Sequence, residues 1–188
     1  MSGAALDTAP GMGAPGMDGE AGVLASASEL IYREADLIDR GHSREWLELF
    51  AEHCVYWLPI DPSSDDPTTG LNILYDDHGR LADRVSRLTS GFSFTQEPAS
   101  KVCHVISNLR LLDAAEAASA IGAFDLAEGD IAVGGHGVVA HSRMGVTQVL
   151  YARFGWILTR SVHGLRIGVK RVDLLNSADP LPVLTFLL

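Results

Sequence analysis

Two side chains in this sequence have the type and setting for acid–base chemistry. Glu34 falls among Leu30, Ile31 and Ile38 on the apolar side of a helical pattern, since each helical residue advances about 100° around the axis. A carboxylate so placed is either a paired structural strut or a working group: burial raises its pKa toward general acid or base use, whereas a neighbouring cation holds it ionised. His104 lies in the run KVCHVISNLRLL, where strand alternation puts it with Ile106, Asn108 and Arg110 and opposite Val105, Leu109 and Leu111. Such a polar face can line a cavity, with His104 as general base and Asn108 or Tyr56 orienting it. It suits equally a contact with another chain, or hydrogen bonds to backbone carbonyls.

Other chemistries find little support. The histidines His42, His53, His78, His104, His136, His141 and His163 form no HxxxH or HExxH group, so no metal ligand set is expected in this chain. Cys54 and Cys103 lack CxxC or CxH spacing, which excludes an intrinsic iron–sulfur or Rieske centre. The string GHGVVA, Gly135 to Ala140, matches a GxGxxA dinucleotide fingerprint in form only, because no strand–helix context surrounds it; its glycines read as a bulge or a thinned strand edge. Neither a GxSxG elbow nor a GxxxxGK[ST] loop is present.

A third cluster is electrostatic. Arg80, Arg84 and Arg87 recur at helical spacing behind Asp76 and Asp77, with Tyr75 just before them. The pattern is either a solvated helix face or a mixed-charge docking patch that fixes a partner's orientation.

The elements that position these groups follow from periodicity. Ser28 to Arg40 is predicted helical and ended by Gly41; Ser43 then caps a short second helix whose Trp46, Leu47, Leu49 and Phe50 pack on the first. CVYWLPI reads as a strand stopped by Pro59 and Pro62, followed by a polar loop to about Gly70. A third helix runs from Asp77 to Ser90, with Leu81, Val85 and Leu88 inward and Gly91 beyond its end. After Pro98, strands are expected at Lys101 to Leu112, Ala117 to Leu126, Met144 to Arg160 and Leu165 to Leu175, with His163 and Gly164 in the last turn. The apolar parity of the last strand changes between Val169 and Val172, which predicts a bulge near Lys170 and Arg171. Helices first and an antiparallel sheet afterwards make an α+β fold, a cone of curved sheet around three helices.

Composition bounds the partners. The 188 residues, 47% hydrophobic and 20% charged, suit one domain, taken as residues 28–188 behind a flexible Gly/Ala/Pro-rich tail at 1–27. A net charge of −10 argues against nucleic acid and anionic membrane as partners. Both cysteines sit in apolar runs, so two reduced, buried thiols in a cytoplasmic protein are expected.

The segments YREADLIDRGHSREWLELFAEHCVYWLPI, YDDHGRLADRVSRLTSG, EPASKVCHVISNLRL and GLRIGVKRVDLLN together resemble the small (beta) subunit of bacterial aromatic-ring-hydroxylating dioxygenases. The stretch from Ala114 to Val146 departs from that family's strand pattern. The resemblance implies a cystatin-like, nuclear-transport-factor-two-like cone and a chiefly structural subunit in aromatic compound catabolism. It also implies a large (alpha) oxygenase partner carrying the 2Fe–2S Rieske cluster and the mononuclear iron, in a three-plus-three hexamer with a trimer of small subunits. Tyr75, Asp76, Asp77, Arg80, Arg84, Arg87, Asn108 and Arg110 are then the expected interface. The alternative is a standalone dehydratase or isomerase on the same cone, using His104, Glu34, Asp39 and Tyr56 in its cavity.

Overall fold

The computed structural model describes residues 19–89, 100–177, 184 and 186–188. Residues 1–18, the expected helix-ending Gly91 and the breaker Pro98 lie outside them.

Helix α1 spans Glu20–Asp39, so it starts eight residues before Ser28, and the boundary expected between tail and domain falls inside it. The reason is compositional: GEAGVLASA is alanine-rich and helix-favouring, and Val23 and Ala27 extend the apolar stripe of Leu30, Ile31, Leu37 and Ile38 by two turns. Gly41 ends the helix as expected. At φ 72° it lets the Gly41 and His42 amides donate back to the Ile38 and Leu37 carbonyls, a Schellman closure. Helix α2, Ser43–Leu47, follows at once, but its N-cap is His42 and no side chain caps it, so Ser43 is the first helical residue and not the cap. The indole of Trp46 is fully buried.

Strand β1, Phe50–Pro59, leads through a loop into β2, Asn72–Asp76, a strand that the sequence reading left unassigned. Helix α3, His78–Thr89, buries Leu81 and Val85 as its spacing requires. Strand β3, Lys101–Leu111, matches expectation, but residues Ala117 to Leu126 do not form a strand. Instead α4 spans Ala114–Ala120, opened by a capping box in which the Asp113 side chain accepts from the Glu116 amide and Glu116 accepts from the Asp113 amide. Then come β4, Ile131–Arg143, β5, Val146–Ser161, and β6, Gly164–Leu174. Gly164, at φ 100°, closes the two-residue turn between β5 and β6.

The six strands form one curved sheet in the order β2-β1-β6-β5-β4-β3. It is mixed and not purely antiparallel, because β1 pairs parallel with β6. The glycine-rich strand β4 is no edge: it lies between β3 and β5, and its glycines make room for bulky neighbours. A Cβ on Gly137 would stand 2.7 Å from the Phe154 ring, and one on Gly135 2.7 Å from Leu109.

One sheet face carries Val133, Val139, Phe154, Trp156, Leu158, Val172 and Leu174 against α1, α2 and α3. The other face packs a smaller cluster of Ala132, Ile157 and Val169 under Ala117 of α4 and Ile121, which caps its C-terminal end. The parity change in β6 is real, but its bulge is at Gly168: Ile157 pairs with Val169 and Leu158 with Ile167, so Val169 crosses to the α4 face while Lys170 turns inward.

Candidate functional site

The inward turn of Lys170 makes the central polar cluster of the protein. Its ammonium donates to Glu34 Oε1 at 2.5 Å and to the main-chain oxygen of Leu188, and both Glu34 and Lys170 are 2% exposed. The Trp46 and Trp156 indole N–H groups donate to the two Glu34 oxygens at 3.1 and 3.3 Å. Tyr56 completes the cluster, donating its hydroxyl to the Leu188 oxygen at 2.8 Å and accepting the Leu188 N–H at 3.0 Å. Burial pushes the Lys170 pKa down against the opposing pull of Glu34, and burial lifts the Tyr56 hydroxyl above its ordinary range. Glu34 is therefore a strut joining α1, α2, β5 and β6, with every oxygen engaged. Lys170 entered the sequence reading only as a bulge position, because a lysine beside an arginine in a strand gives no sign of which one turns inward.

His104 sits apart from this cluster. Its backbone N–H and ring Nδ1 both engage Asp39, at 2.9 Å to Oδ2 and 2.6 Å to Oδ1, which ties β3 to the end of α1. Its other ring nitrogen, Nε2, is buried and has no hydrogen-bond partner among the described residues. The acid–base set of the alternative reading thus divides into a His104–Asp39 pair and a Glu34–Lys170–Tyr56 cluster.

Asn108 and Arg110 do not share the face of His104. The register of β3 on β4 shifts between Ser107 and Arg110, with Asn108 at φ 55°, so Val102, His104, Ile106, Leu109 and Leu111 turn inward while Asn108 and Arg110 face solvent. Arg110 pairs with Glu116 of α4 at 2.6 Å.

The charged patch of α3 is partly consumed by its own fold. Arg84 grips the buried Asp76 at 2.6 Å, Arg80 donates to the Tyr75 carbonyl at 2.9 Å, and Asp77 caps the helix by accepting from the Arg80 amide at 2.9 Å. Asp77, Arg80 and Arg87 remain solvent-facing. Because β2 and β3 are the two edge strands of the sheet, the segment from Tyr75 to Leu112 contributes to both ends of it.

Cys103 and Arg171 also depart from the sequence reading. Cys54 is buried, its thiol pushed up to about 12 mainly by desolvation, whereas Cys103 is exposed on the outward parity of β3. Arg171, unnoticed as a functional candidate, is buried on the α4 side of the sheet. It stacks on Trp57 with 4.3 Å between guanidinium and ring, and donates to the Pro62 and Ser64 carbonyls at 2.6 and 2.8 Å, pinning the loop between β1 and β2. Among the described residues no group of three or more His, Cys, Asp or Glu gathers as metal donors. Nor is any described helix long and apolar enough to cross a membrane.

Comparison with known proteins gives these features a lineage. The small oxygenase component of the p-cumate 2,3-dioxygenase system of Pseudomonas putida is 38% identical over 95 residues, 48% of this chain and 51% of that protein. The chain thus spans about half the length of the curated relatives it first matches. Among solved structures, the beta subunit of the benzoate 1,2-dioxygenase from Burkholderia mallei ATCC 23344 superposes with a TM-score of 0.66 at 21% identity, over 87% of this chain and 97% of that one. An NTF2-like protein with a cystatin-like fold from Novosphingobium aromaticivorans gives 0.53 at 17% identity, over 86% and 93%, which places the curved sheet and its helices in that fold class. The family model described as "Ring hydroxylating beta subunit" matches residues 33–178, from the second half of α1 to beyond the end of β6, and the chain belongs to that family.

Proposed function

We propose that this protein is the non-catalytic small subunit of an aromatic-ring-hydroxylating dioxygenase, supporting assembly of an iron-bearing large subunit in aromatic compound catabolism. The observation that carries the reading is the match of residues 33–178 to the beta-subunit family, which covers every strand of the sheet. The interior agrees with a scaffold's role: Glu34, the buried carboxylate best placed for acid–base work, is occupied by Lys170 and two indoles. The dehydratase or isomerase reading needs His104, Glu34, Asp39 and Tyr56 around one substrate, and their division into two clusters weighs against it.

In this reading the Rieske cluster and the mononuclear iron belong to the large subunit, and three copies of each chain form a cytoplasmic hexamer around a small-subunit trimer. The solvent-facing charges Asp77, Arg80 and Arg87, beside Tyr75, are the proposed docking patch, with Asn108 and Arg110 a second contact at the other sheet edge. Buried Asp76 and Arg84 shape the patch from below.

Co-expression with the adjacent large-subunit gene tests the proposal. An iron-containing complex of equal subunit numbers should co-purify, His104→Ala should keep ring hydroxylation within the assembled enzyme, and Arg80→Glu with Arg87→Glu should weaken assembly. Turnover of a small carbonyl or hydroxyl compound by the isolated chain, abolished by His104→Ala, would refute it.

A further inference from the structure

Strand register arranges the outward positions of β3, β4 and β5 into a grid. Val105, Val138 and Tyr151 pair across the strands as one row, and Ser107, His136 and Arg153 make the next, so an apolar row lies directly beside a polar one. Val105 and Tyr151 are 58% and 55% exposed. The two rows line an open trough of about 480 Å³, and Pro62 of the loop between β1 and β2 forms part of its wall. Helix α4 covers the other end of the same face, over Ala132, Ile157 and Val169.

Antiparallel strands that meet water on one face normally alternate apolar-in with polar-out. Here an apolar row faces outward, and the charges around it have one sign. The 11, 13 and 16 residues of β3, β4 and β5 include Lys101, Arg110, Arg143, Arg153 and Arg160 but no Asp or Glu, in a chain with 24 acidic against 14 basic residues. Asp173, across from Arg153 on β6, is already paired with Arg171 at 2.8 Å. Among the described residues Arg153 has no ion pair or hydrogen bond of its own. An exposed apolar patch beside charge marks an association surface, and a single sign of charge calls for an acidic, partly apolar occupant.

The chain carries such a surface next to the trough. The loop between β1 and β2 holds Asp61, Asp65 and Asp66, with Ile60 and Leu71 at its two ends 38% and 80% exposed. Asp61 and Asp66 brace the loop by accepting from the amides and hydroxyls of Ser63 and Thr68. The Asp65 carboxylate has no partner among the described residues, although its main-chain oxygen accepts from the Ala123 amide at 2.8 Å. Arg171, donating to the Pro62 and Ser64 carbonyls, holds the loop at the edge of the trough, so the trough of one copy is left for the loop of another.

We propose that this trough is where copies of the chain join, each receiving the acidic β1–β2 loop of the next copy, with Leu71 against Val105 and Tyr151 and Asp65 facing Arg153. Because loop and trough are different patches, the contact runs head to tail, and such a contact closes into a ring when its rotation allows. The number in the ring, three, rests on the small-subunit reading proposed above; the contact itself rests on the grid and the loop.

Sedimentation velocity of the full chain by itself tests the contact. Wild type should run as a trimer at micromolar concentration, and Tyr151→Glu should weaken association by about thirty-fold or more, as loss of a central aromatic anchor does. Arg153→Glu should weaken it about ten-fold, and adding Asp65→Arg to the same chain should restore most of that loss. Tyr151 and Arg153 face solvent in the single chain, so the variants should melt close to wild type; if Tyr151→Glu does not fold, Val105→Glu takes its place. A wild type that stays monomeric or dimeric, a trimer indifferent to the trough variants, or a charge swap that restores nothing overturns the proposal. So does a monomeric chain whose Tyr151→Glu variant no longer binds the large subunit, since the trough then serves that partner. A monomeric wild type that still co-purifies with the large subunit sinks this contact alone, whereas a trough-dependent trimer that recovers no iron-bearing partner sinks the subunit assignment and leaves the contact standing.

Discussion

Removing Glu34 should be far more damaging than removing Glu34 and Lys170 together would suggest. In Glu34→Leu the Lys170 ammonium keeps only the Leu188 oxygen, and the Trp46 and Trp156 N–H groups lose their acceptor. Breaking one side of a buried ion pair costs about 3–5 kcal/mol, and each stranded N–H adds about 1 kcal/mol or more, less whatever Lys170 recovers by releasing its proton. A net loss of about 4–5 kcal/mol is expected, a large share of the roughly 5–15 kcal/mol of a folded domain. Lys170→Met leaves Glu34 with two indole donors and should cost about 3 kcal/mol. The double variant has no unpaired charge, only two stranded indoles, and should cost about 2–3 kcal/mol, so the coupling is about 5 kcal/mol. Urea unfolding followed by far-ultraviolet circular dichroism reads this directly: at roughly 2 kcal/mol per molar, Glu34→Leu moves the midpoint down by about 2 M and the double variant by about half as much. If the double variant loses the sum of the two single losses to within about 0.5 kcal/mol, the strut account of Glu34 is wrong.

Because burial depresses the folded-state pKa of Lys170 below its ordinary 10.5, the unfolded chain binds more protons between those two values. Stability should therefore rise with pH over that window in wild type relative to Lys170→Met, a difference to be read from paired unfolding curves. His141, also depressed by burial, should make wild type lose stability relative to His141→Phe as pH falls from 6.5 through its folded pKa. Iodoacetamide at neutral pH should label Cys103 alone, with Cys54 reacting only after denaturation, as mass spectrometry of the tryptic peptides would report. Gly137→Val would drive a side chain into the Phe154 ring and the Val105 carbonyl and should cost about 2–3 kcal/mol, measurable as a lowered melting temperature.

Where one chemical pattern dominates locally, the sequence was readable. Helix α3 and the apolar stripe of α1 follow from spacing alone, and Gly41 and Gly164 occupy the turns that need positive φ. The errors arose where two patterns competed. A strand is expected at Ala117 to Leu126, although Asp113 and Glu116 just before it are spaced as a capping box and the alanines favour helix. The glycines of β4 hid a central strand, since residues that make room for Phe154 and Leu109 carry no apolar alternation themselves. For the site, strand parity puts His104 on one face with Ile106, as the structure has it, but carries Asn108 and Arg110 with them, because a bulge opened by a positive-φ asparagine leaves no periodic trace. The partner of Glu34 was beyond local inference: a contact across 136 positions is set by the register of β6, which a single glycine displaces.

That separation governs the order in which the protein can be made. Strand β1 has only β2 as an early neighbour, and its other edge stays open until β6 arrives to pair in parallel. The carboxylate of Glu34 likewise waits for Lys170, so during synthesis the first half of the chain holds an apolar strand edge and an uncompensated charge that nothing yet made can satisfy. Closure of the interior must wait for β6, and contacts so distant along the chain slow folding. Any surface that depends on the seated α1 and β1 becomes available to a partner only after the final strand has docked, which gives assembly a built-in check that the polypeptide has been completed through Lys170.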